Sequence, residues 1–322
     1  MADLCKEYAL KAGALSIGQY CPPLCFELAG KKFDLKMDYG ENGGDYTLDF
    51  IDEKTVEWSI KGSEPKADEY KCLKADDYTY LVTWCVKNPA EPDKPSAENQ
   101  TWIIDKEQGL VTFLRCVKGE NQYWPLLIES HWTFGAIREE GKEIGIKRHG
   151  FSDDVIGTCV QWTYGHEMAT VHAYYSTNWY RITYPRDAVR SAQGEAQNAQ
   201  LNELLKGLPG PDEPAYYVKI KDGMYLVSLT EQNMERYVGE KVGFRSDTLC
   251  FLDNYNRFYN VGRGYGTATM MPGAFAVDGK IVNEETAASQ PTEGEIFVMI
   301  GAYGKPGDID DHFFTDPNPY LV

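Results

Sequence analysis

The strongest constraint on this chain is that it repeats one series of strands and turns in the same order. Aligned on Gly30 and Gly157, "LAGKKFDLKMDYG" (28–40) stands opposite "VIGTCVQWTYG" (155–165). "TVEWSIKG" (55–62) then falls opposite "TNWYRITY" (177–184), and "DDYTYLVTW" (76–84) opposite "KDGMYLVSL" (221–229). Last, "WIIDKEQGLVTFLR" (102–115) falls opposite "CFLDNYNRFYNVGR" (250–263), where the interval from Asp105 to Arg115 and from Asp253 to Arg263 is ten residues in both copies. Four anchors in fixed order mark a duplicated structural unit.

Within each copy the apolar period is two. "YTYLVTW" (78–84) places Tyr78, Tyr80, Val82 and Trp84 on one face, and "MYLVSL" (224–229) does so with Tyr225, Val227 and Leu229. "YGENGGD" (39–45), "DKEQG" (105–109) and "DNYN" (253–256) read as the turns between strands. Hairpin-joined strands with few helices to cover a sheet suit a closed antiparallel barrel, so the expectation is mainly β, two barrels in tandem. The domains are residues 1–150 and 151–322, meeting near "KRHGFSDD" (147–154). One insertion, 187–214, breaks the symmetry. Its residues 188–205 predict a short helix in the second copy, either a surface decoration or a lid over the barrel mouth.

Charge narrows the partners. With 49 acidic against 32 basic residues the net charge is -17, which repels phosphate backbones and anionic lipid. The expectation is no nucleic acid and no membrane partner, with a homodimer left open. No apolar run nears the ~20 residues that span a bilayer. Eight cysteines form no CxxC pair, and "CPPLC" (Cys21, Cys25) is the only close one. A reduced cytoplasmic protein without a metal site is the expectation. "HEMATVH" (166–172) lacks zinc-helix spacing, and "GRGYG" (262–266) follows a strand without opening a helix. "GDIDDHFFTDPNP" (307–319) lacks the grammar of a calcium loop and reads as an acidic tail. No nucleophile elbow and no Rossmann fingerprint is present.

At the same anchors the chain resembles the MoaF-like proteins, which pair two calycin (lipocalin-like) domains. "GQYCPPLCFE" with "LAGKKFDLKMDYG" looks like the family's first-domain opening, and residues 153–184 with "YLVSLTE" (225–231) like its second. The second copy also resembles the phenolic acid decarboxylases, single calycin barrels that work without cofactor or metal. Two aromatics two apart on their first strand correspond to Trp162 and Tyr164, their aromatic-Arg-Ile to Arg181 in "WYRITY", and their catalytic carboxylate to Asp222 in "KDGMY". Trp stands for one of their tyrosines and Asp for their Glu. In the first copy Leu35, Met37 and Ser59 replace Trp162, Tyr164 and Arg181, and Asp77 stands opposite Asp222.

This resemblance implies a small-molecule site in the second barrel. Arg181 would hold or polarise an oxyanion, Tyr164 would hydrogen-bond or donate a proton, and Asp222 or His172 would move it. Trp162, Tyr174 and Trp179 would wall the substrate. Parity alone leaves Arg181 free to point outward instead, and "KDGM" also reads as a plain turn. The expected activity is that of a cofactor-independent lyase, isomerase or cyclase acting on a small aromatic or unsaturated compound. The alternatives are a lipocalin-type carrier and an acidic partner-binding scaffold with filled barrels.

Overall fold

The computed structural model describes residues 20–119, 128–164, 169–183, 212–231, 245–269 and 293–308. Among them the secondary structure is all β, and two nine-stranded antiparallel sheets account for it. The chain divides into two compact units. One is Pro22–Phe151 with Val218–Asp222; the other is Met1–Cys21, Ser152–Tyr217 and Gly223–Val322.

The first sheet contains β1 (Lys32–Gly40), β2 (Gly44–Phe50), β3 (Thr55–Ile60), β4 (Lys66–Glu69), β5 (Lys71–Lys74), β6 (Thr79–Cys85), β7 (Glu98–Asp105), β8 (Leu110–Lys118) and β9 (Ile128–Arg138). They hydrogen-bond in the order β4-β3-β2-β1-β9-β8-β7-β6-β5. Only Tyr70 separates β4 from β5, so the two ends of the sheet are successive lengths of one stave and the ring has eight staves.

The second sheet contains β10 (Gly150–Phe151), β11 (Thr158–Thr163), β12 (Ala169–Tyr174), β13 (Trp179–Thr183), β14 (Asp212–Lys221), β15 (Met224–Thr230), β16 (Arg245–Asn254), β17 (Tyr259–Thr269) and β18 (Glu293–Asp308). The order is β10-β14-β13-β12-β11-β18-β17-β16-β15, and pairing of β14 with β15 closes eight of these strands into a ring. The tandem barrels read from the repeat are therefore present. The helix expected within 187–214 lies outside the described residues, save that Asp212–Pro214 open β14 instead. "GRGYG" is interior to β17.

An eight-stranded barrel encloses a space that side chains can just fill, or that can hold one small ligand. The first barrel is filled. Trp102 stacks on Phe113 with ring centroids 4.0 Å apart and on Trp84 at 6.2 Å, while Tyr46 meets both Trp102 and Phe113 edge-on. Trp58, Phe33, Phe50, Leu35, Met37, Leu48 and Ile104 complete this core. Polar groups enter it at Gln100, which accepts from Trp102 Nε1, at Asp68 near its edge, which accepts from Trp58 Nε1 at 2.8 Å, and at the Arg115–Glu98 pair.

Candidate functional site

Strand register decides which side chains enter the second barrel. Val160 pairs with His172 and Trp162 with Thr170 across β11 and β12, and His172 pairs with Ile182 across β12 and β13. Side chains two apart share a face, so Val160, Trp162, Thr170, His172, Tyr174, Tyr180 and Ile182 all point inward. On the far wall Val227 pairs with Phe251, Tyr225 with Asp253, and Asp253 with Asn260. Asp253 and Asn260 are thus inward positions on β16 and β17. Space for Trp162 comes from Gly304, its partner on β18: a Cβ there would lie 2.5 Å from the indole ring.

These side chains join into one line of hydrogen-bonding groups. Tyr164 and Thr170 hydroxyls are 3.3 Å apart, Thr170 Oγ1 is 3.0 Å from His172 Nε2, and His172 Nδ1 is 3.3 Å from the Tyr174 hydroxyl. That hydroxyl lies 3.3 Å from Asp253 Oδ2, and Asn260 Nδ2 donates to Asp253 Oδ1 at 3.3 Å. Trp162 Nε1 donates to the Tyr174 oxygen at 3.4 Å. The links are slack beside the ~2.7–2.8 Å of an ordinary O–H···O bond, as acid–base networks often are before substrate tightens them. Tyr180, Tyr217, Phe251 and Tyr255 supply aromatic walls around the line.

Burial sets the charge state. Asp253 is fully enclosed, and desolvation pushes its carboxyl up to about 8, against the lowering influence of Asn260 and Tyr174. It is therefore mostly protonated at neutral pH. Desolvation depresses the His172 imidazole to about 3 and holds it neutral, and it lifts the Tyr164 and Tyr174 phenols above their ordinary range. Neutral groups of this kind can be ordered in two senses. With Asp253 protonated, its O–H donates to Tyr174, Tyr174 to His172 Nδ1, His172 Nε2–H to Thr170, and Thr170 to Tyr164. With Asp253 ionised every donor and acceptor exchanges roles. One added acceptor is Asn260 Oδ1, buried and meeting no donor among the described residues. Such an atom costs about 1–3 kcal/mol until a donor reaches it.

The seven residues expected from sequence divide. Trp162, Tyr164, His172 and Tyr174 meet inside the barrel. Arg181 lies on the other face of β13, between the inward Tyr180 and Ile182. It pairs with Asp212, its register partner, at 2.8 and 3.0 Å, and its guanidinium sits over the Tyr175 ring. An arginine among aromatics is stable here because the adjacent strand supplies a bidentate carboxylate on the same outer face. Trp179 shares that face and is 40% exposed. Asp222 stands in the β14–β15 turn with a 98% exposed side chain, paired with Lys219, so the turn reading of "KDGM" describes its position. Neither Arg181 nor Asp222 joins the interior line.

Asp253 and Glu213 were missed. The turn signal "DNYN" puts Asp253 in a turn, yet it continues the inward alternation Leu249, Phe251, Asp253 on β16. That period-two pattern was the available signal. Glu213 is fully buried opposite Tyr180 on β14, at the margin of the insertion, where the sequence offered no periodicity.

Comparison with known proteins gives limited company. Residues 9–114 match the family model for the MoaF N-terminal domain. No curated protein matches the chain. Among solved structures, a candidate beta-lactamase from Burkholderia vietnamiensis aligns at 17% identity over 35% of this chain and 94% of its own, with a TM-score of 0.25. That likeness carries no argument.

Proposed function

The chain carries a MoaF N-terminal domain over residues 9–114 within a tandem-barrel fold suited to small molecules, and from this premise we propose that its second barrel performs acid–base chemistry on a small aromatic or unsaturated compound. The observation that carries the proposal is the enclosed line from Asp253 through Tyr174, His172 and Thr170 to Tyr164. Asp253 gives up its proton at one end, each group passes one on, and the Tyr164 phenol delivers its own hydrogen to a substrate atom. The reverse order takes a proton away. Asn260 Oδ1 would accept from a ligand hydroxyl, and the aromatic walls would hold an unsaturated ring. Lyase, isomerase and cyclase reactions that move a proton use this pair of steps, with water excluded so that fixed dipoles act strongly.

The route by which phenolic acid decarboxylases would use Arg181 and Asp222 does not form part of this proposal. The opposing functional class is a carrier that uses the same lining without turnover. To test the proposal, the full chain is incubated with hydroxycinnamic acids and related unsaturated aromatics in deuterated water, and products and deuterium uptake are read by mass spectrometry. Turnover or exchange that is lost in Asp253→Asn and kept in Arg181→Ala supports the proposal. Ligand retention without either supports the carrier, and equal loss in both variants contradicts the site.

A further inference from the structure

The only close cysteine pair in the sequence, Cys21 and Cys25, is not the pair that folding joins. Cys25 lies in the segment leading into β1, and its N–H donates to the carbonyl of Cys72 on β5 at 2.8 Å. That bond and the shared core bring the two residues side by side, as a disulfide requires. Each thiol is the largest electrostatic influence on the other, and the Cys72 Sγ also lies 3.9 Å from the Leu73 carbonyl oxygen. Their exposure differs: Cys72 is buried in the first-barrel core, while Cys25 is half-buried and packed on the edge of that core.

Charged and hydrogen-bonding groups surround Cys25. The Glu27 backbone N–H points at its sulfur, and the Lys74 ammonium stands nearby, held by Glu27 at 2.6 Å. Glu27 also accepts from the Tyr80 hydroxyl at 2.8 Å, and Tyr70 is the other titratable neighbour. Donation from Cys72 outweighs burial and the Glu27 charge, lowering the Cys25 thiol to about 6; Cys72 is raised well above its ordinary value. An accessible thiolate with a thiol poised behind it is the arrangement of an attacking and a resolving cysteine.

We propose that Cys25 and Cys72 form a redox-active dithiol that reduces hydroperoxides, a site separate from the second-barrel interior. Cys25 thiolate attacks one peroxide oxygen, the O–O bond breaks, and the departing oxygen takes a proton to leave as water or an alcohol. Cys25 is then a sulfenic acid. The Cys72 sulfur attacks it, the S–O bond breaks, and the Cys72 proton leaves with that oxygen as water. In sum, two thiols and one hydroperoxide give one disulfide, one alcohol or water, and one water. A dithiol reductant restores the pair.

The test is mild hydrogen peroxide on the full chain, followed by intact mass and non-reducing peptide mapping. The expected result is loss of two hydrogens with the Cys25 and Cys72 peptides linked, reversed by a dithiol. Cys25→Ser abolishes the link, and Cys72→Ala leaves a Cys25 sulfenic acid that a dimedone probe traps. Without peroxide, Cys25 is alkylated at pH 7 with a midpoint near 6. More thiolate but lower nucleophilicity gives a rate about three- to sixfold above an unperturbed thiol. A Cys21–Cys25 link, oxidation of all cysteines at similar rates, or an alkylation midpoint near 9 overturns the proposal. Each of these is read on the wild-type chain, so none depends on a variant folding.

Discussion

The two barrels share a strand order and differ in what their matched inward positions hold. Register makes the comparison exact to the residue. Ile104 and Val111 of the first barrel correspond to Asp253 and Asn260 of the second, and Leu48 and Phe50 to His172 and Tyr174. Aromatic bulk changes in the opposite sense at another level: Trp102 facing Phe113 becomes Phe251 facing Gly262, and Trp58 becomes Ile182. One copy fills its interior with stacked rings whose packing holds the barrel together. The other places a carboxyl, an imidazole and phenols where apolar side chains would stabilise more, which is the usual mark of a site kept for chemistry.

The largest effect should come from carrying the second interior into the first. Ile104→Asp buries a carboxyl among Trp102, Phe113 and their neighbours and should cost about 4 kcal/mol or more, read by denaturant unfolding. A cost near zero would mean that the first interior is not the packed apolar core described.

Next is a pH dependence that the second barrel has and Asp253→Asn lacks. Native Asp253 holds its proton to about pH 8, whereas an unfolded aspartate loses it near ~3.9. Between those values the native state binds more protons, so stability falls as pH rises, by about 1.4 kcal/mol per pH unit. His172 acts oppositely. Its imidazole stays neutral to about pH 3 while the unfolded one charges below ~6.5, so its contribution is lost as pH falls from there. Between pH 5 and 8 the wild type should therefore lose stability relative to Asp253→Asn as pH rises, read from the unfolding midpoints of the two. Parallel curves would remove the buried carboxyl from the account.

Two smaller tests concern backbone positions. Gly304→Ala drives a methyl into the Trp162 ring and should cost about 1–3 kcal/mol, with a shifted Trp162 signal in heteronuclear spectra. Unchanged stability and spectra would show that Trp162 does not lean on β18. At the β16–β17 turn Phe258 has φ +47°, at the place that Gly109 takes with φ +67° in the first barrel. Phe258→Gly should stabilise by about 1 kcal/mol in thermal unfolding, since a left-handed backbone costs a side chain that much. The two barrels would then share a relaxed turn; destabilisation would mean that the half-exposed ring packs usefully.

Much of the fold was legible because period-two alternation and turn residues are local signals. "DKEQG" does form the β7–β8 turn, with Asp105 Oδ1 accepting from the Glu107 and Gln108 amides. The site was half legible: Trp162, Tyr164, His172 and Tyr174 share a face by spacing alone. What failed was register between copies. Matching Asp253 to Asp105 put it in a turn, but the turn-capping equivalent is Asn254, whose Oδ1 accepts from the Arg257 amide. One residue of slip reverses every side chain, and it hid the central carboxyl. A slip of two placed Ser59 opposite Arg181, where register gives Glu57. Parity could not show that Asp212, 31 residues later in the chain, would hold Arg181 on the outer face.

The most direct test of the account is a carbon-13 titration of the aspartate carboxyls, with Asp253 assigned by the resonance missing from Asp253→Asn. The expected result is a midpoint near 8, a carboxyl kept protonated inside the second barrel. A midpoint near the ordinary ~3.9 of an exposed aspartate would contradict it, because an ionised Asp253 at neutral pH is neither enclosed nor able to start a proton along the line to Tyr164.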